Sequence, residues 1–397
     1  MKEKNNCVVA SIMAMWDLIC HYLGDCQNGS TISSLPDEII INILSRVSAE
    51  TILACRAVCS AWHHITNTTQ FTQLHRIRSN NPVILGRVFN SSISYSSPRW
   101  FFIGNFRFYN VEITGLESVR RASKPHVQAV CDGLIIFKHS VNYTDSYVIC
   151  NPITREEVEF RLQTNDNICG FYYHKVQKEY ALLIYQKNDQ YEYSIYGLTS
   201  KDRRTISTRV EFNPNCCGVS TCGALFWIIY GSKYHNSLSV NTESILMFNL
   251  ETEKFTVKDH PADRYKQAAR NQLKLLEIDG KLGCCDVYSK SVQVWILEDV
   301  ENWKWAKRYV VDLNRILNEN YGDRSIPQIA KTCVVATLNG DLLLFRGLVG
   351  LLWWNRRLNK VSKMNTGTLD MTDLSIVCDA VSFTSSLISL RQSNILP

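Results

Sequence analysis

The sequence predicts an α+β multidomain chain in which a small three-helix unit precedes a mostly-β, propeller-like domain. Three observations support this prediction. Apolar residues at helical spacing occupy residues 31–78, short strand-like runs dominate after them, and a glycine–leucine pattern recurs along those runs. We expect an N-terminal extension (1–30), the helical unit (31–78) and a β domain (79–397), which has room for about six to eight irregular blades at ~40–50 residues each.

The composition is that of an ordinary globular protein. Of the 397 residues, 45% are hydrophobic and 20% are charged, which excludes disordered, collagen-like and coiled-coil chains. Lys and Arg number 43 and Asp and Glu 37, so the net charge is +6, and the basic residues are scattered along the chain. A dedicated nucleic-acid binder concentrates its basic residues on one face or stripe. We therefore expect no nucleic-acid partner.

The cysteines and the apolar segment near the start of the sequence indicate in which cellular compartment the protein is located. The 15 cysteines lack the Cys/His spacing of a zinc site, which is typical of reduced thiols in a cytoplasmic and/or nuclear protein. The apolar run that begins at Cys7 is interrupted by Asp17 and His21, short of the ~20 residues of a membrane helix. We expect no membrane partner. The segment is interpreted as a helical or loosely packed extension, a partner-binding helix or a targeting sequence.

Residues 31–78 carry the start signals of short helices. Pro36, followed by Asp37 and Glu38, suits the first turn of a helix, and Ser48 suits the N-cap of the next. A third short helix carries Trp62, and the unit is expected to end near residues 71–74. Three short helices bury too little apolar surface to be stable alone, so a partner is expected to complete the unit.

The remainder of the chain repeats a glycine followed by an apolar strand. The pattern occurs at Gly133, Gly223, Gly280 and Gly340, and a further unit is expected around Gly170. Tight turns are expected where Asp or Asn precedes three of these glycines. The main strand-like runs are 147–150, 181–185, 191–196, 225–230, 245–248, 292–296 and 342–345.

A second repeated element is a polar hairpin at the end of a strand. It begins at Asn151, Asn249 and Asn355. Strand-rich repeats of ~40–60 residues favour a β-propeller. A pair of β-sandwiches is the alternative.

The helical unit resembles an F-box. Leu35-Pro36, Val58-Cys59 with Trp62, the trailing Phe71 and Leu74-His75 all fall at the spacing of that family. Ser48 and Ser60 depart from it, since they stand where the family usually has Pro and often has Lys or Arg. A serine at position 60 cannot make the charge contact that Lys or Arg would make at the edge of an adaptor interface.

The β domain resembles the F-box-associated domain of plant F-box proteins, which is related in kind to Kelch-type propellers. The double-glycine signature of regular Kelch repeats is absent, so regular Kelch blades are not expected. The segments that carry the resemblance are 131–134, 151–154, 170–173, 245–255, 294–297 and 386–390.

The resemblance implies the substrate-recognition subunit of an SCF-type (Skp–cullin–F-box) ubiquitin ligase. The F-box would dock a Skp-family adaptor and through it a cullin-RING ligase, and the β domain would bind an unidentified protein substrate for ubiquitination. An F-box scaffold acting outside a ligase and an enzyme on a propeller, such as a hydrolase, are the alternatives. The resemblance implies the adaptor-binding residues Leu35, Pro36, Ile39, Ile43, Leu44, Leu53, Val58, Cys59 and Trp62, although internal packing equally explains Ile43, Leu53, Val58 and Trp62.

No catalytic or cofactor-binding motif accompanies this pattern, so we expect a non-catalytic protein without a cofactor or a metal. Cys131 with His126 lacks the surroundings of a nucleophile and is interpreted as structural. His63 and His64 are interpreted as a solvated helix face, because adjacent helical residues point about 100° apart.

Two further features of the sequence are compatible with a ligand groove or a binding surface. The tryptophan pairs 303/305 and 353/354 could line a groove, although adjacent residues on a strand face opposite ways. The long polar loops 259–270 and 314–324 are where a rigid scaffold would present a binding surface.

Overall fold

The fold follows from a computed structural model, which describes four helices and 24 strands. The described residues are 36–78, 82–88, 99–104, 107–111, 126–141, 144–187, 191–206, 218–230, 243–262, 270–288, 290–314, 332–346, 350–364 and 381–391. The interpretations of residues 1–30 and of most of the loops 259–270 and 314–324 concern residues outside these ranges.

Four short helices form the helical unit: α1 (Asp37–Leu44), α2 (Ala49–Cys55), α3 (Ser60–Thr66) and α4 (Thr69–Arg78). The predicted helix starts are confirmed. Pro36 precedes α1, and the Ser48 hydroxyl accepts a hydrogen bond from the backbone N–H of Thr51 at 3.3 Å. The prediction of only three helices is wrong.

The fourth helix begins where the sequence pattern placed the end of the unit. The Thr68 hydroxyl accepts a hydrogen bond from the backbone N–H of Phe71 at 3.1 Å. This bond satisfies an N–H that the first turn of a helix leaves without an internal partner. Phe71 and His75, one turn apart, then face the core of the unit and are buried.

The strands form six four-stranded antiparallel sheets in the described part of the chain. The sequence predicts only a range, about six to eight blades. Sheet 1 is β24 (Val381–Thr384), β1 (Pro82–Val88), β2 (Arg99–Gly104) and β3 (Arg107–Val111). Sheet 2 is β4 (His126–Cys131), β5 (Leu134–Val141), β6 (Thr144–Asn151) and β7 (Glu156–Phe160). Sheet 3 is β8 (Asp166–His174), β9 (Glu179–Lys187), β10 (Tyr191–Gly197) and β11 (Arg203–Ile206). Sheet 4 is β12 (Val219–Thr221), β13 (Ala224–Tyr230), β14 (Glu243–Asn249) and β15 (Lys254–Lys258). Sheet 5 is β16 (Arg270–Ile278), β17 (Lys281–Tyr288), β18 (Ser291–Asp299) and β19 (Lys304–Asp312). Sheet 6 is β20 (Thr332–Leu338), β21 (Asp341–Arg346), β22 (Gly350–Asn355) and β23 (Lys360–Lys363).

The first strand of each sheet contacts the first strand of the next, and these contacts close a ring. They run from β4 to β8, β12, β16, β20 and β24, and from β24 back to β4. A closed ring of radial four-stranded sheets is a β-propeller. The predicted propeller is therefore confirmed, and the alternative of two β-sandwiches is wrong.

Sheet 1 closes the ring by joining the two ends of the β region. Its innermost strand, β24, comes from the C-terminal end of the chain and pairs antiparallel with β1, which follows the helical unit. Val83 lies opposite Phe383 in this register. The ring is therefore incomplete until the last strand pairs with the first.

The recurring glycines lie in the turns between the first two strands of sheets 2, 4, 5 and 6. Asp132 and Gly133 have φ of 51° and 81°, and the same positive pair of angles recurs in the other three turns. Two successive positive φ angles make a type I′ hairpin turn, which favours Asn or Asp followed by Gly. Sheet 3 is the unit expected around Gly170, but Gly170 lies inside β8 at a bulge.

The core fills the interfaces between neighbouring sheets. Trp353 and Trp354 point to opposite faces of β22, so that one packs between sheets 6 and 1 and the other between sheets 5 and 6. Both are buried, and their indole N–H groups donate to Asp341 and Asn359. This pair therefore lines no ligand groove.

Candidate functional site: the surface and seat of the helical unit

The helical unit presents two large apolar side chains to solvent. Ile39 on α1 is 41% exposed and Val58, in the turn before α3, is 45% exposed. They are two of the few large apolar side chains with this exposure among the described residues. Pro36 and Cys59 are also exposed. Exposed apolar groups of this kind mark interaction surfaces when they lie together.

The remaining predicted site residues support that surface from inside. Ile43, Leu44 and Trp62 are buried in the core of the unit, and Leu53 is half-buried against the same core. The packing interpretation therefore applies to Ile43 and Trp62, while Val58 is exposed. Leu35 lies outside the described residues.

Side-chain to backbone hydrogen bonds fix the helices relative to one another. The Arg56 guanidinium, at the end of α2, donates to the backbone carbonyl of Thr66 at 3.0 Å. The Thr66 hydroxyl donates to the carbonyl of Trp62 at 2.8 Å. The first bond holds the end of α3 against α2 and so fixes the turn that carries Val58, and the second lies within α3.

A buried histidine joins α4 to the connection between α1 and α2. His75 is 0% exposed, and its Nε2 donates to the backbone carbonyl of Val47 at 2.8 Å. Its Nδ1 is buried without a hydrogen-bond partner. Burial lowers the pKa of His75 below its ordinary value, although the Val47 carbonyl and the Glu50 carboxylate oppose the shift.

The helical unit is expected to lose stability as the pH falls from 7.5 to 5.5. Because the folded-state pKa of His75 is depressed, the unfolded chain binds its proton first, at about pH 6.5. The loss begins there and grows by at most about 1.4 kcal/mol per pH unit. Hydrogen exchange of α1–α4 at both pH values measures it, and His75→Gln should reduce the difference. An equal pH dependence in the variant would contradict this assignment.

An ion pair and an aromatic ring seat α4 on sheets 2 and 3. Arg76 Nη1 lies 2.7 Å from the Oδ2 atom of Asp132, in the first turn of sheet 2. The Tyr180 hydroxyl donates to the same carboxylate at 3.2 Å, and the Arg76 guanidinium lies 5.8 Å from the ring centre of Tyr173. The carboxylate thus holds a residue of the helical unit and a residue of the propeller together.

A second element of the seat is the segment 385–390, which follows β24 and is called the strap below. Leu387 is 3% exposed and packs in the core of the helical unit, together with Ile153 from sheet 2. Ile388 and Leu390 instead pack in the core between sheets 2 and 3. The strap therefore belongs to both hydrophobic cores.

Sequence reasoning missed the seat. The strap contains three apolar residues, Leu387, Ile388 and Leu390, but no local pattern shows that Leu387 faces a helical core more than 300 residues earlier. Likewise, no sequence signal distinguishes Arg76 and Asp132 from the other charged residues or marks them as partners. A paired site of this kind is visible only once the ring brings the two ends of the chain together.

The structure also shows the surroundings of several histidine, cysteine and tryptophan side chains away from the seat. No group of His, Cys, Asp or Glu within the described ranges could hold a metal ion. Burial raises the pKa of Cys55 to about 11 and that of Cys285 to about 12, so these thiols stay protonated. His63 and His64 are exposed, as predicted. The indole N–H of Trp303 donates to the carbonyl of Asp259.

No helix among the described residues has the length and apolar character to span a membrane.

Family profiles match both parts of the chain. The profile described as "F-box-like" matches residues 32–75, and the "F-box associated beta propeller domain" matches residues 89–347. The chain belongs to the F-box associated beta propeller family. Its relatives are plant F-box proteins, so the helical unit is the F-box and the six-sheet ring is the associated propeller.

Two F-box proteins of Arabidopsis thaliana illustrate the relationship. "F-box protein At5g65850" is 27% identical over 70% of this chain and 71% of its own length. "F-box protein At5g18160" is 26% identical over 71% of this chain and 72% of its own length. Among solved structures, TolB from Acinetobacter baumannii matches only distantly, with 9% identity and a TM-score of 0.38 over 79% of this chain and 73% of that chain.

Proposed function

We propose that this F-box protein is the substrate-recognition subunit of an SCF-type ubiquitin ligase. The observation that carries the proposal is the exposed apolar surface of the F-box at Ile39 and Val58, on a helical unit that is seated on a propeller. A Skp-family adaptor would cover this surface and link the chain to a cullin-RING ligase. The propeller would hold the protein substrate.

The chain then contributes proximity rather than covalent chemistry. Holding a substrate lysine near the ubiquitin-loaded enzyme raises its effective concentration, which speeds transfer without any catalytic group on this chain. We propose accordingly that the protein is not an enzyme and that it acts in the cytoplasm and/or nucleus.

The two ends of the propeller differ, and the F-box occupies one of them. The turns between the first and second strands and between the third and fourth strands lie at this end, which we call the turn end. Asp132 and Ile153, which contact the F-box, are in two of these turns. Hydrogen bonds and ion pairs join turns of neighbouring sheets at this end, as between Thr221 and Gly280 or Arg356 and Asp279.

The opposite end, called the loop end, carries the longer connections. Because consecutive strands in each sheet are antiparallel, the chain passes from one sheet to the next at the loop end. Counted between the ends of the strands, these six connections are 112–125, 161–165, 207–218, 259–269, 313–331 and 364–380. The two loops that the sequence indicated as binding surfaces belong to this group.

We propose that the substrate binds at the loop end. The F-box covers part of the turn end, so a substrate at the loop end leaves adaptor docking unobstructed. Binding residues are commonly carried by loops on a rigid scaffold, and the ring of sheets is such a scaffold. The alternative, an F-box scaffold outside a ligase, shares the same adaptor surface and differs in whether a cullin is captured.

The double variant Ile39→Asp/Val58→Asp is expected to weaken adaptor binding by about 30- to 1,000-fold. Truncating or charging an anchor at the centre of an interface typically costs ~2–4 kcal/mol. Both residues are exposed, so the F-box should stay folded. Titration of the purified full chain with a Skp-family adaptor measures the effect.

Val310→Asp is the matched control, because Val310 is 52% exposed on the outer strand of sheet 5. It should leave adaptor affinity unchanged. Unchanged affinity in the double variant would remove the proposed docking surface. Capture of the adaptor without a cullin would favour the scaffold over the ligase subunit.

A further inference from the structure

The strap connects three parts of the molecule that are far apart in sequence. It follows β24 directly, and β24 is the strand that closes the propeller by pairing with β1. Leu387 then lies in the F-box core, whereas Ile388 and Leu390 lie in the core between sheets 2 and 3. Ring closure and the F-box core therefore depend on one continuous segment, residues 381–390, which is β24 followed by the strap.

Hydrogen bonds hold the strap in place on its propeller side. Asn151, which is 0% exposed, donates from Nδ2 to the backbone carbonyls of Ser386 at 3.0 Å and Ile388 at 2.8 Å. The Glu156 carboxylate accepts from the Ser389 hydroxyl at 2.9 Å and from the backbone N–H of Leu390 at 2.7 Å. These contacts leave the intervening Leu387 side chain directed to the F-box, since successive side chains of an extended segment face opposite ways.

The fit between the strap and the first turn of sheet 2 is close. A Cβ atom added to Gly133 would lie 2.5 Å from the Ser386 hydroxyl oxygen and 2.6 Å from the backbone carbonyl oxygen of Thr384. Asp132, the neighbour of Gly133, forms the ion pair with Arg76 of the F-box. The strap and the α4 ion pair thus meet at the same turn of the propeller.

We propose that the strap is a latch that couples folding of the F-box to closure of the propeller. The F-box is a small unit whose core is completed by Leu387, so opening β24 withdraws a core side chain from the F-box. Conversely, unfolding the F-box exposes Leu387 to water and weakens the anchoring of the strap beside β24. Coupling between two sites is reciprocal by thermodynamic linkage.

The latch predicts cooperative opening of distant segments in the unmodified full chain. Pulse-labelling hydrogen exchange in increasing urea should give α1–α4 and residues 381–390 the same transition midpoint. An F-box transition at lower urea than that of residues 381–390 would overturn the proposal, because two uncoupled units of unequal size unfold independently.

Two matched variants test each direction of the coupling. Leu387→Ala should raise exchange of α1–α4 by about thirtyfold or more, as expected when a buried leucine is lost from a small core. Leu344→Ala removes the same type of buried side chain, 0% exposed, from the interface of sheets 5 and 6, and it should affect α1–α4 much less. Equal effects of the two variants on α1–α4 would contradict the latch.

The reverse direction uses a residue of the F-box core. Ile52→Ala should raise exchange of residues 381–390, whereas His64→Ala, at an exposed position of α3, should not. No change in residues 381–390 with Ile52→Ala would overturn the latch. If Leu387→Ala does not yield folded protein, Leu387→Val removes one methylene and serves as the milder variant.

The experiments need no adaptor. Failure of the latch and failure of the proposed function are therefore separate results.

Discussion

Replacing Asn151 by alanine is expected to destabilise the protein by about 3–6 kcal/mol. The Asn151 amide donates to two strap carbonyls, and its Oδ1 accepts from the backbone N–H groups of Ile153 and Thr154. Each buried polar group left without a partner costs about 1–3 kcal/mol. A total of this size is a large fraction of the ~5–15 kcal/mol that stabilises a typical protein. Equilibrium urea unfolding measured by circular dichroism gives the change.

Asn249→Ala is the matched control. Asn249 begins the equivalent hairpin of sheet 4, where its Oδ1 accepts from the N–H groups of Glu251 and Thr252. It has the same turn bonds but contacts no strap, so its loss is expected to be about 1–2 kcal/mol. Equal losses for the two variants would show that the bonds to the strap contribute nothing measurable.

Trp62→Ala is expected to destabilise the F-box by about 3–5 kcal/mol, as is typical for a buried tryptophan. Trp62 is 3% exposed and packs in the core that also contains Leu387. A four-helix unit of this size has few other large side chains to maintain its core. Hydrogen exchange of α1–α4 should therefore rise strongly, and adaptor binding should fall because the helices no longer hold Ile39 and Val58 in place.

His64→Ala serves as the control for Trp62→Ala, since His64 lies two residues later on the same helix and is exposed. It should leave exchange of α1–α4 within error of the unmodified chain. If the F-box amides of Trp62→Ala stay fully protected from hydrogen exchange, burial of Trp62 contributes little to the stability of the unit.

The fold class was predictable because its signals are local. The type I′ turns require two successive positive φ angles, and Asp-Gly and Asn-Gly reveal three of the four turns directly. The fourth, Cys222-Gly223, is visible from its glycine. Sheet 3 lacks this signal, because its turn ends at Lys178, with φ of 55° and no glycine. Its position could be inferred only from the spacing of the other units.

The helical unit shows where local signals fail. Ser48, as an N-cap, correctly predicts the start of α2. Thr68 caps α4 in a polar stretch with little apolar periodicity, so the sequence did not predict the fourth helix. The division of the predicted adaptor residues into exposed Ile39 and buried Ile43 or Trp62 depends on how helices pack. A sequence motif contains both classes without separating them. Adaptor binding by these residues stays a prediction.

The closing strand has a consequence for how the protein is made. A ribosome releases the F-box first, and Leu387 emerges about 300 residues later, roughly 15–60 s at ~5–20 residues per second. During this interval the nascent chain carries an F-box without its last core side chain and a ring open beside β1. Messages truncated before the codons for β24 would yield chains held permanently in that state, with unpaired strand edges that favour aggregation. Residues synthesised about 300 positions after the F-box therefore determine whether the F-box core becomes complete.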